Sequence, residues 1–274
     1  MSKDDYRLSA EQVHEFENQG YVYLNGYVPA TTLTEVRGTI SRWASNYAAE
    51  FNHDKFVVSS GPDLFDAGLV ALRNENNEGA GRLYDAIKKM PPFMQWAIAQ
   101  RHVETARTLL RSSDIGVASR GWGMRIDYPD NKHATQLHQD FVSQLCGPRA
   151  IVIWAPLRDV TAEMGPVVLF PGSHLEGVFP IQAMGVQSED LIIRDESLLR
   201  NRFSHFAPEV KAGDAVVMDL MLLHESGNNL SHLPRWSMLT RLFDAGDSRS
   251  VRIGWRGGIQ EGNVYSDSLL TEMG

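Results

Sequence analysis

Several features that define other protein classes are absent or scarce in this sequence. Cys146 is the only cysteine among 274 residues, so an internal disulfide is excluded, in agreement with a reducing compartment. No apolar run approaches the roughly 20 residues that a membrane-spanning helix needs. The opening MSKDDYRLSAEQ lacks the apolar segment of a secretory signal. We therefore expect a cytoplasmic protein with no membrane partner.

Positive charge is scarce as well. Lysine and arginine number 26 against 34 aspartates and glutamates, which gives a formal net charge of −8 without a long block of one sign. A protein that binds nucleic acid normally presents basic surface that neutralises phosphates. We therefore expect no nucleic-acid partner, while the sequence leaves a homo-oligomer open.

The chain is long enough to bury a core of ordinary size, since 43% of its residues are hydrophobic. No internal repeat or low-complexity tract divides it. We predict a single domain over residues 1–274. Within it, residues 1–115 are expected to be largely helical, residues 116–260 to form a β core, and residues 261–274 to form a C-terminal tail.

Helical signals are concentrated in the first part of the chain. Ser9-Ala-Glu-Gln12 matches a capping box, and Gly20 marks the end of the short helix that follows. Apolar residues at spacings of three and four predict further helices over residues 31–51 and 93–110. Residues 61–80 are rich in Gly, Asp, Asn and Glu, and we predict a long loop there.

The later part of the chain consists of short β-type runs broken by Gly, Pro and Asn. A helical front half that caps a β barrel is the architecture that this order predicts. The predicted strands are residues 21–24, 123–128, 150–157, 166–170, 215–223 and 237–243.

Three side chains suggest a metal site. In the segment LHQD, His138 and Asp140 share one face of an extended chain, because side chains alternate with period two, and Gln139 points the other way. His224 follows an apolar β run and supplies a third ligand. Two histidines and one carboxylate leave three positions of an octahedral ion open, which suits non-haem iron that also holds a bidentate cosubstrate and O2.

The His-x-Asp pair alone is weak evidence, and its neighbours strengthen it. Arg235 lies eleven residues after His224, and an arginine fork is suited to pair with a carboxylate. Ser226 offers a hydroxyl donor to the same carboxylate. These two residues turn a metal site into a candidate keto-acid site.

With these motifs in this order, the sequence resembles the phytanoyl-CoA dioxygenase family of Fe(II)/2-oxoglutarate oxygenases. The resemblance covers most of the chain. It is carried by the opening LSAEQVHEFENQGYVYLNGYV, by LHQD, by WAPLRDV from Trp154, by GPVVLFPGSH from Gly165, and by LLHESGNN followed by PRW.

The resemblance implies a fold and a set of site residues. The fold is mainly β with flanking helices, a double-stranded β-helix (jelly-roll, cupin-like) barrel buttressed by the N-terminal helices. The resemblance implies iron ligation, and hence a catalytic role, for His138, Asp140 and His224. It further implies that Arg235 and Ser226 hold the distal carboxylate of 2-oxoglutarate.

Three further residues are weaker candidates. The resemblance places Gln139 and Trp154 in the lining of the cosubstrate pocket. Arg125, on the strand before LHQD, is a candidate for contact with cosubstrate or substrate, with a structural or surface role as the alternative. His174, in the turn PGSH, is expected to hold that turn rather than to bind iron.

The predicted function is that of an Fe(II)- and 2-oxoglutarate-dependent dioxygenase that hydroxylates an unactivated C–H bond of a small metabolite and releases succinate and CO2. Fe(II), 2-oxoglutarate and O2 are the implied cofactors and cosubstrates. Asp140 favours hydroxylation over halogenation, because related halogenases carry a small residue there. The alternatives are a non-catalytic metal-binding barrel with a regulatory role and a cupin-like metalloenzyme that uses no keto acid.

Overall fold

Helices and antiparallel β-sheets both contribute to the fold, which is known from a computed structural model. The structure describes residues 6–51, 64–129, 135–183 and 191–273. The chain divides into two compact units, Val28–Ala97 and the remainder, Met1–Tyr27 with Ile98–Gly274. The mixed α and antiparallel β character differs from the mainly β fold that the sequence predicts, while the single-domain assignment stays a prediction.

The unit Val28–Ala97 is helical. The helix predicted over residues 31–51 is confirmed, with its buried side chains at helical spacing along one face. The helix predicted over residues 93–110 is instead two helices, the first ending at Ala97 and the second, in the other unit, beginning at Gln100. The helices of this unit are α2 (Ala30–Glu50), α3 (Ala67–Glu75), α4 (Asn77–Ile87) and α5 (Pro91–Ala97).

The long loop predicted for residues 61–80 is wrong from residue 67 onwards, where α3 and α4 lie; residues 61–63 are outside the described residues. Leu69 and Leu72 of α3 are buried. The Asn76 side chain accepts a 2.9 Å hydrogen bond from Gly79 N and caps α4. Polar residues that resemble a loop in sequence therefore serve as a cap and as exposed helix surface.

The other unit begins with the helix α1 (Ala10–Gln19), and its predicted capping box is confirmed. Ser9 Oγ accepts from Gln12 N at 3.2 Å, and Gln12 Oε1 accepts from Ser9 N at 2.9 Å. Gly20 ends the helix with φ 79°. The strand β1 (Tyr21–Leu24) follows directly.

The main sheet has six antiparallel strands, which are β1, β2 (Ile115–Val117), β3 (Gly123–Asp127), β4 (Ala150–Pro156), β8 (Ala215–Asp219) and β10 (Arg235–Asp244). Their order in the sheet is β1-β8-β4-β10-β2, and β3 also pairs with β10. One face packs on α6 (Gln100–Leu110), which contacts β4 and β10. The other face carries Trp154, Arg235 and Arg241 among apolar residues.

A smaller sheet pairs β5 (Val167–Leu169) with β9 (His224–Ser226). Single bridges extend it, from His138 to His224 on one side and from Leu169 to Phe206 on the other. One apolar cluster of buried residues joins strands of the two sheets. The remaining elements are β6 (Ile181–Ala183), β7 (Leu191–Ile193), α7 (Phe141–Gln144), α8 (Glu196–Arg202), α9 (Ser248–Arg252) and α10 (Asp267–Met273).

Most of the predicted strands are found within a few residues. The exception is the strand predicted over residues 215–223, because β8 ends at Asp219 and the chain turns before β9 begins. Among the residues that the structure describes, none of the helices has both the length and the hydrophobicity that a bilayer crossing demands.

Gly20 provides a test of the junction between α1 and β1. A Cβ at Gly20 would collide with the His174 ring and lie 2.9 Å from Leu222 Cδ1, whereas at Gly26, with φ 61°, it would meet no atom within 4 Å. Both replacements by alanine impose a left-handed conformation, which costs about 1–2 kcal/mol. Only Gly20→Ala adds overpacking, of about 1–3 kcal/mol.

We therefore expect Gly20→Ala to lower the free energy of unfolding in urea by at least about 1 kcal/mol more than the control Gly26→Ala. Equal losses for the two variants would contradict the packing of His174 against this turn.

Candidate active site

His138, Asp140 and His224 come together in the structure, and their ligand atoms all lie within 4.8 Å of one another. His138 N donates to His224 O and His224 N donates to His138 O, both at 3.0 Å, so the two imidazoles stand side by side. His138 Nε2 is 3.6 Å from Asp140 Oδ1. The extended backbone that the sequence predicts ends before Asp140, which has φ −63° and ψ −28° at the start of α7. The carboxylate thus reaches the histidines from a turn.

Both histidines are oriented by backbone carbonyls. His138 Nδ1 lies 2.8 Å from Gln136 O, and His224 Nδ1 lies 2.9 Å from Leu222 O. Because a carbonyl only accepts, each Nδ1 carries the proton, and each Nε2 keeps its lone pair for a metal. Two imidazole nitrogens and one carboxylate oxygen form the donor set that suits non-haem Fe(II). The residues present therefore fit the ion.

The electrostatics of the site favour metal-binding protonation states. The pKa of His224 is lowered to about 4, chiefly by burial and next by the neighbouring His138, while Asp140 opposes both. Burial raises the pKa of Asp140, but the Arg241 guanidinium and the two histidines outweigh it, so this pKa lies well below its usual range. Near neutral pH the site offers a neutral imidazole and a carboxylate.

Arg241 is a site residue that sequence reasoning missed. Its Nε donates to Asp140 Oδ2 at 2.8 Å, and its Nη2 donates to Asp140 Oδ1 at 3.0 Å. The signal in the sequence was the even spacing from Arg235, since residues six apart on a strand share a face.

Arg235 is the first residue of β10, and only 3% of its side chain is exposed. Its Nη2 lies 2.8 Å from Asp127 Oδ2. Among the residues that the structure describes, its Nη1 makes only long contacts, 3.4 Å to Met164 O and 3.3 Å to Gly227 O. Asp127, which sequence reasoning also missed, therefore holds one edge of the Arg235 fork.

Arg125 shares the same aspartate. Its Nε donates to Asp127 Oδ1 at 2.8 Å and to Oδ2 at 3.0 Å, and its Nη1 contacts Thr135 Oγ1. Two guanidinium groups, those of Arg125 and Arg235, therefore face the Asp127 carboxylate.

Two serines lie near these arginines. Ser226 ends β9, and its backbone N donates to Thr135 O at 3.0 Å. Ser237 is fully buried on the same face of β10 as Arg235. Its hydroxyl has no hydrogen-bond partner among the residues that the structure describes. Buried donors normally have a partner, so this hydroxyl is available to a bound ligand.

The buried side chain of Gln139 makes three hydrogen bonds with backbone groups. Its Nε2 donates to Gly177 O at 2.7 Å and to Met221 O at 2.6 Å, and its Oε1 accepts from Phe179 N at 2.8 Å. Both of its N–H donors are therefore used in holding neighbouring segments. Its contact with the cosubstrate stays a prediction.

Trp154 lies on β4 with its side chain on the same face of the main sheet as Arg241, and it is 6% exposed.

His174 is not part of the triad. Its Nε2 lies 3.2 Å from Glu17 O, so it ties the PGSH turn to α1.

Comparison with solved structures shows which class of fold this is. The carbocyclase SnoK from nogalamycin biosynthesis, described as non-haem and α-ketoglutarate dependent, matches 96% of this chain and 95% of its own with a TM-score of 0.58 and 19% identity. EctD from Sphingopyxis alaskensis with 2-oxoglutarate and 5-hydroxyectoine matches 89% of this chain and 79% of its own, with a TM-score of 0.57 and 21% identity. The chain therefore has the cupin-like fold of the Fe/2-oxoglutarate oxygenases.

Sequence comparison identifies the family. The model of the phytanoyl-CoA dioxygenase (PhyH) family matches residues 16–237, and the chain belongs to this family. Ectoine dioxygenase of Sphingopyxis alaskensis is 23% identical over an alignment of 251 residues, and the match covers 85% of this chain and 74% of that protein. Phytanoyl-CoA dioxygenase 1 of rice, Oryza sativa subsp. japonica, is 30% identical over an alignment of 118 residues, and the match covers 39% of this chain and 38% of that protein. The chain is accordingly a 2-oxoglutarate-dependent non-haem iron dioxygenase.

The metal site can be tested with a single substitution. We expect His224→Ala to lower the affinity for Co(II), used in place of Fe(II) because it is stable in air, by at least about a hundredfold, since one of three ligands is lost. Isothermal titration calorimetry measures this. His174→Gln is the matched control, and a comparable loss in that variant would contradict the assignment of the ligands.

Proposed function

We propose that this dioxygenase hydroxylates an unactivated C–H bond of a small metabolite and that its main sheet and the sheet of β5 and β9 form a double-stranded β-helix. The observation that carries the proposal is the convergence of two imidazole nitrogens and one carboxylate oxygen within 4.8 Å, together with the buried Arg235 of β10, which Asp127 of β3 holds. The first group suits Fe(II) and the second suits the carboxylate of a keto acid.

The triad leaves half of an octahedral coordination shell open. When bound, Fe(II) and 2-oxoglutarate supply the oxidising chemistry, which consumes O2, oxidises a C–H bond and releases succinate and CO2. The residues of the chain position these groups and exclude water. His224 and Asp140 are buried, and His138 is 20% exposed, which leaves the site open on the side of His138.

Arg235 and Ser226 are proposed to bind the distal carboxylate of 2-oxoglutarate. The long contacts of Arg235 Nη1 with two carbonyls are weak, so this edge of the fork exchanges them for a charge-assisted bond at little cost. Asp127 keeps the other edge fixed. The buried Arg235 fork, held by Asp127 at one edge, is suited to pair with a carboxylate, which supports a dicarboxylate cosubstrate.

A small metabolite as substrate is supported by the names of the relatives, which include ectoine dioxygenase and a carbocyclase of nogalamycin biosynthesis. Hydroxylation rather than halogenation is supported by Asp140, because its carboxylate occupies the position where a halide would bind. Succinate release in a panel of small metabolites would identify the substrate that stimulates turnover.

The cosubstrate assignment has a direct spectroscopic test. Adding Fe(II) and then 2-oxoglutarate without oxygen should produce the visible iron-to-keto-acid charge-transfer band, because the keto acid chelates the ion. Iron binding without this band would contradict 2-oxoglutarate as cosubstrate and would favour a barrel that binds metal without this chemistry.

The two residue roles are tested separately, that of Arg235 with the same band and that of Asp140 by succinate formation. Arg235→Ala should raise the dissociation constant for 2-oxoglutarate about tenfold to a hundredfold, which corresponds to the loss of a hydrogen bond to a charged group. Asp140→Ala should abolish succinate formation coupled to substrate oxidation, because a metal ligand is removed. The matched control is Arg82→Ala, which removes an exposed ion pair with Glu78. Wild-type behaviour in both site variants would overturn the residue assignments.

A further inference from the structure

Arg241 contacts both oxygens of the Asp140 carboxylate, and we propose that it is a positioning residue that keeps Asp140 a one-oxygen metal ligand. The inference rests on the proposed function, since it presupposes that the triad binds a divalent metal. The Asp140 side chain is 4% exposed and that of Arg241 is 15% exposed, so water competes little for this pair.

The contact is a fork-to-fork pair. Arg241 Nε donates to Asp140 Oδ2 at 2.8 Å and Nη2 donates to Oδ1 at 3.0 Å, so the planar guanidinium fixes the plane of the carboxylate. A carboxylate has about four lone-pair sites, two on each oxygen. The fork takes one site on each oxygen along the edge that they share. That edge is also the one through which a carboxylate would chelate a metal.

The oxygen nearer the histidine is left with one free site. Asp140 Oδ1 lies 3.6 Å from His138 Nε2, on the side of the triad. A metal there binds Oδ1 alone, while Oδ2 stays with Arg241. The Arg241 guanidinium therefore allows Asp140 to bind a metal through one oxygen and blocks chelation through both oxygens.

The number of oxygens with which Asp140 binds the metal decides whether enough coordination positions stay open for the proposed reaction. Two imidazoles and one carboxylate oxygen leave three positions of an octahedral ion, two for the keto acid and one for O2. A chelating Asp140 would take a fourth position, and the keto acid would then fill the shell. Blocking the shared edge of the carboxylate thus preserves the position that the reaction needs.

Arg241 itself is held in place. Its Nη1 donates to Gly121 O at 3.0 Å, and Gly121 N in turn donates to Ala118 O at 2.8 Å. The turn that ends β2 therefore fixes the third nitrogen of the guanidinium while the other two face Asp140. A lysine keeps the charge but cannot reproduce this planar set of donors.

The alternative is that the pair only stabilises the fold. Arg241→Lys separates the two roles, with Arg249→Lys as the matched control, because Arg249 makes the same fork with Asp247, at 3.1 and 3.0 Å. The experiment titrates each anaerobic protein with Co(II) alone and records the affinity, the d–d absorption bands of the ion and the melting temperature.

We expect Arg241→Lys to weaken Co(II) binding about tenfold to a hundredfold, the usual effect of losing a residue that orients a metal ligand. We also expect its d–d bands to change in position and intensity, because the carboxylate is free to chelate. The control should keep the wild-type affinity and bands. A lower melting temperature with wild-type affinity and wild-type bands would show a structural role only and overturn the proposal.

A measurement on the wild-type protein covers the case in which Arg241→Lys does not fold. X-ray absorption of the Co(II) protein should show one carboxylate oxygen bound to the metal and should lack the short metal-to-carbon distance of a chelating carboxylate. The presence of that distance would overturn the proposed role of Arg241. Neither measurement uses 2-oxoglutarate, so a missing keto-acid band overturns the proposed function without affecting them. Failure of the wild-type protein to bind Co(II) would overturn both.

Discussion

The backbone pairing of His138 with His224 is the contact on which the site depends. Two hydrogen bonds of 3.0 Å join residues from distant parts of the chain and place their imidazole rings with centroids 4.2 Å apart. Antiparallel pairs of this kind put directly opposed side chains on the same face. Because each Nδ1 is bound to a carbonyl two residues earlier, both Nε2 atoms remain available to a metal. The turn at Asp140 then needs to add only one oxygen.

Charged groups inside the unit are the second constraint. Buried charges are costly unless they are paired and hydrogen-bonded. Arg235 pairs with Asp127 and Arg241 pairs with Asp140, so β10 brings two cations to its inner face without leaving either alone. The two pairs differ in the group that each leaves available to a ligand. Asp140 offers a free oxygen lone pair to a metal, and Arg235 has a second edge, with long contacts to Met164 O and Gly227 O, that suits an anion.

The sequence predicted the parts of the molecule that local rules determine. The capping box at Ser9, the helix end at Gly20 and most strands follow from short-range patterns, and the triad followed from spacing and family motifs. The loop predicted over residues 61–80 was wrong from residue 67 onwards, because cap residues such as Asn76 resemble loop residues. Asp127 and Arg241 were missed because their roles depend on which strands pair, and register is not visible in one sequence.

The most direct test is a crystal of the protein with Mn(II) or Fe(II) and 2-oxoglutarate, grown without oxygen and measured at the absorption edge of the metal. We expect one anomalous peak, bounded by His138 Nε2, His224 Nε2 and a single oxygen of Asp140. The keto acid should chelate the metal and place its distal carboxylate at Arg235. A peak away from this triad, or a distal carboxylate away from Arg235, would contradict this expectation.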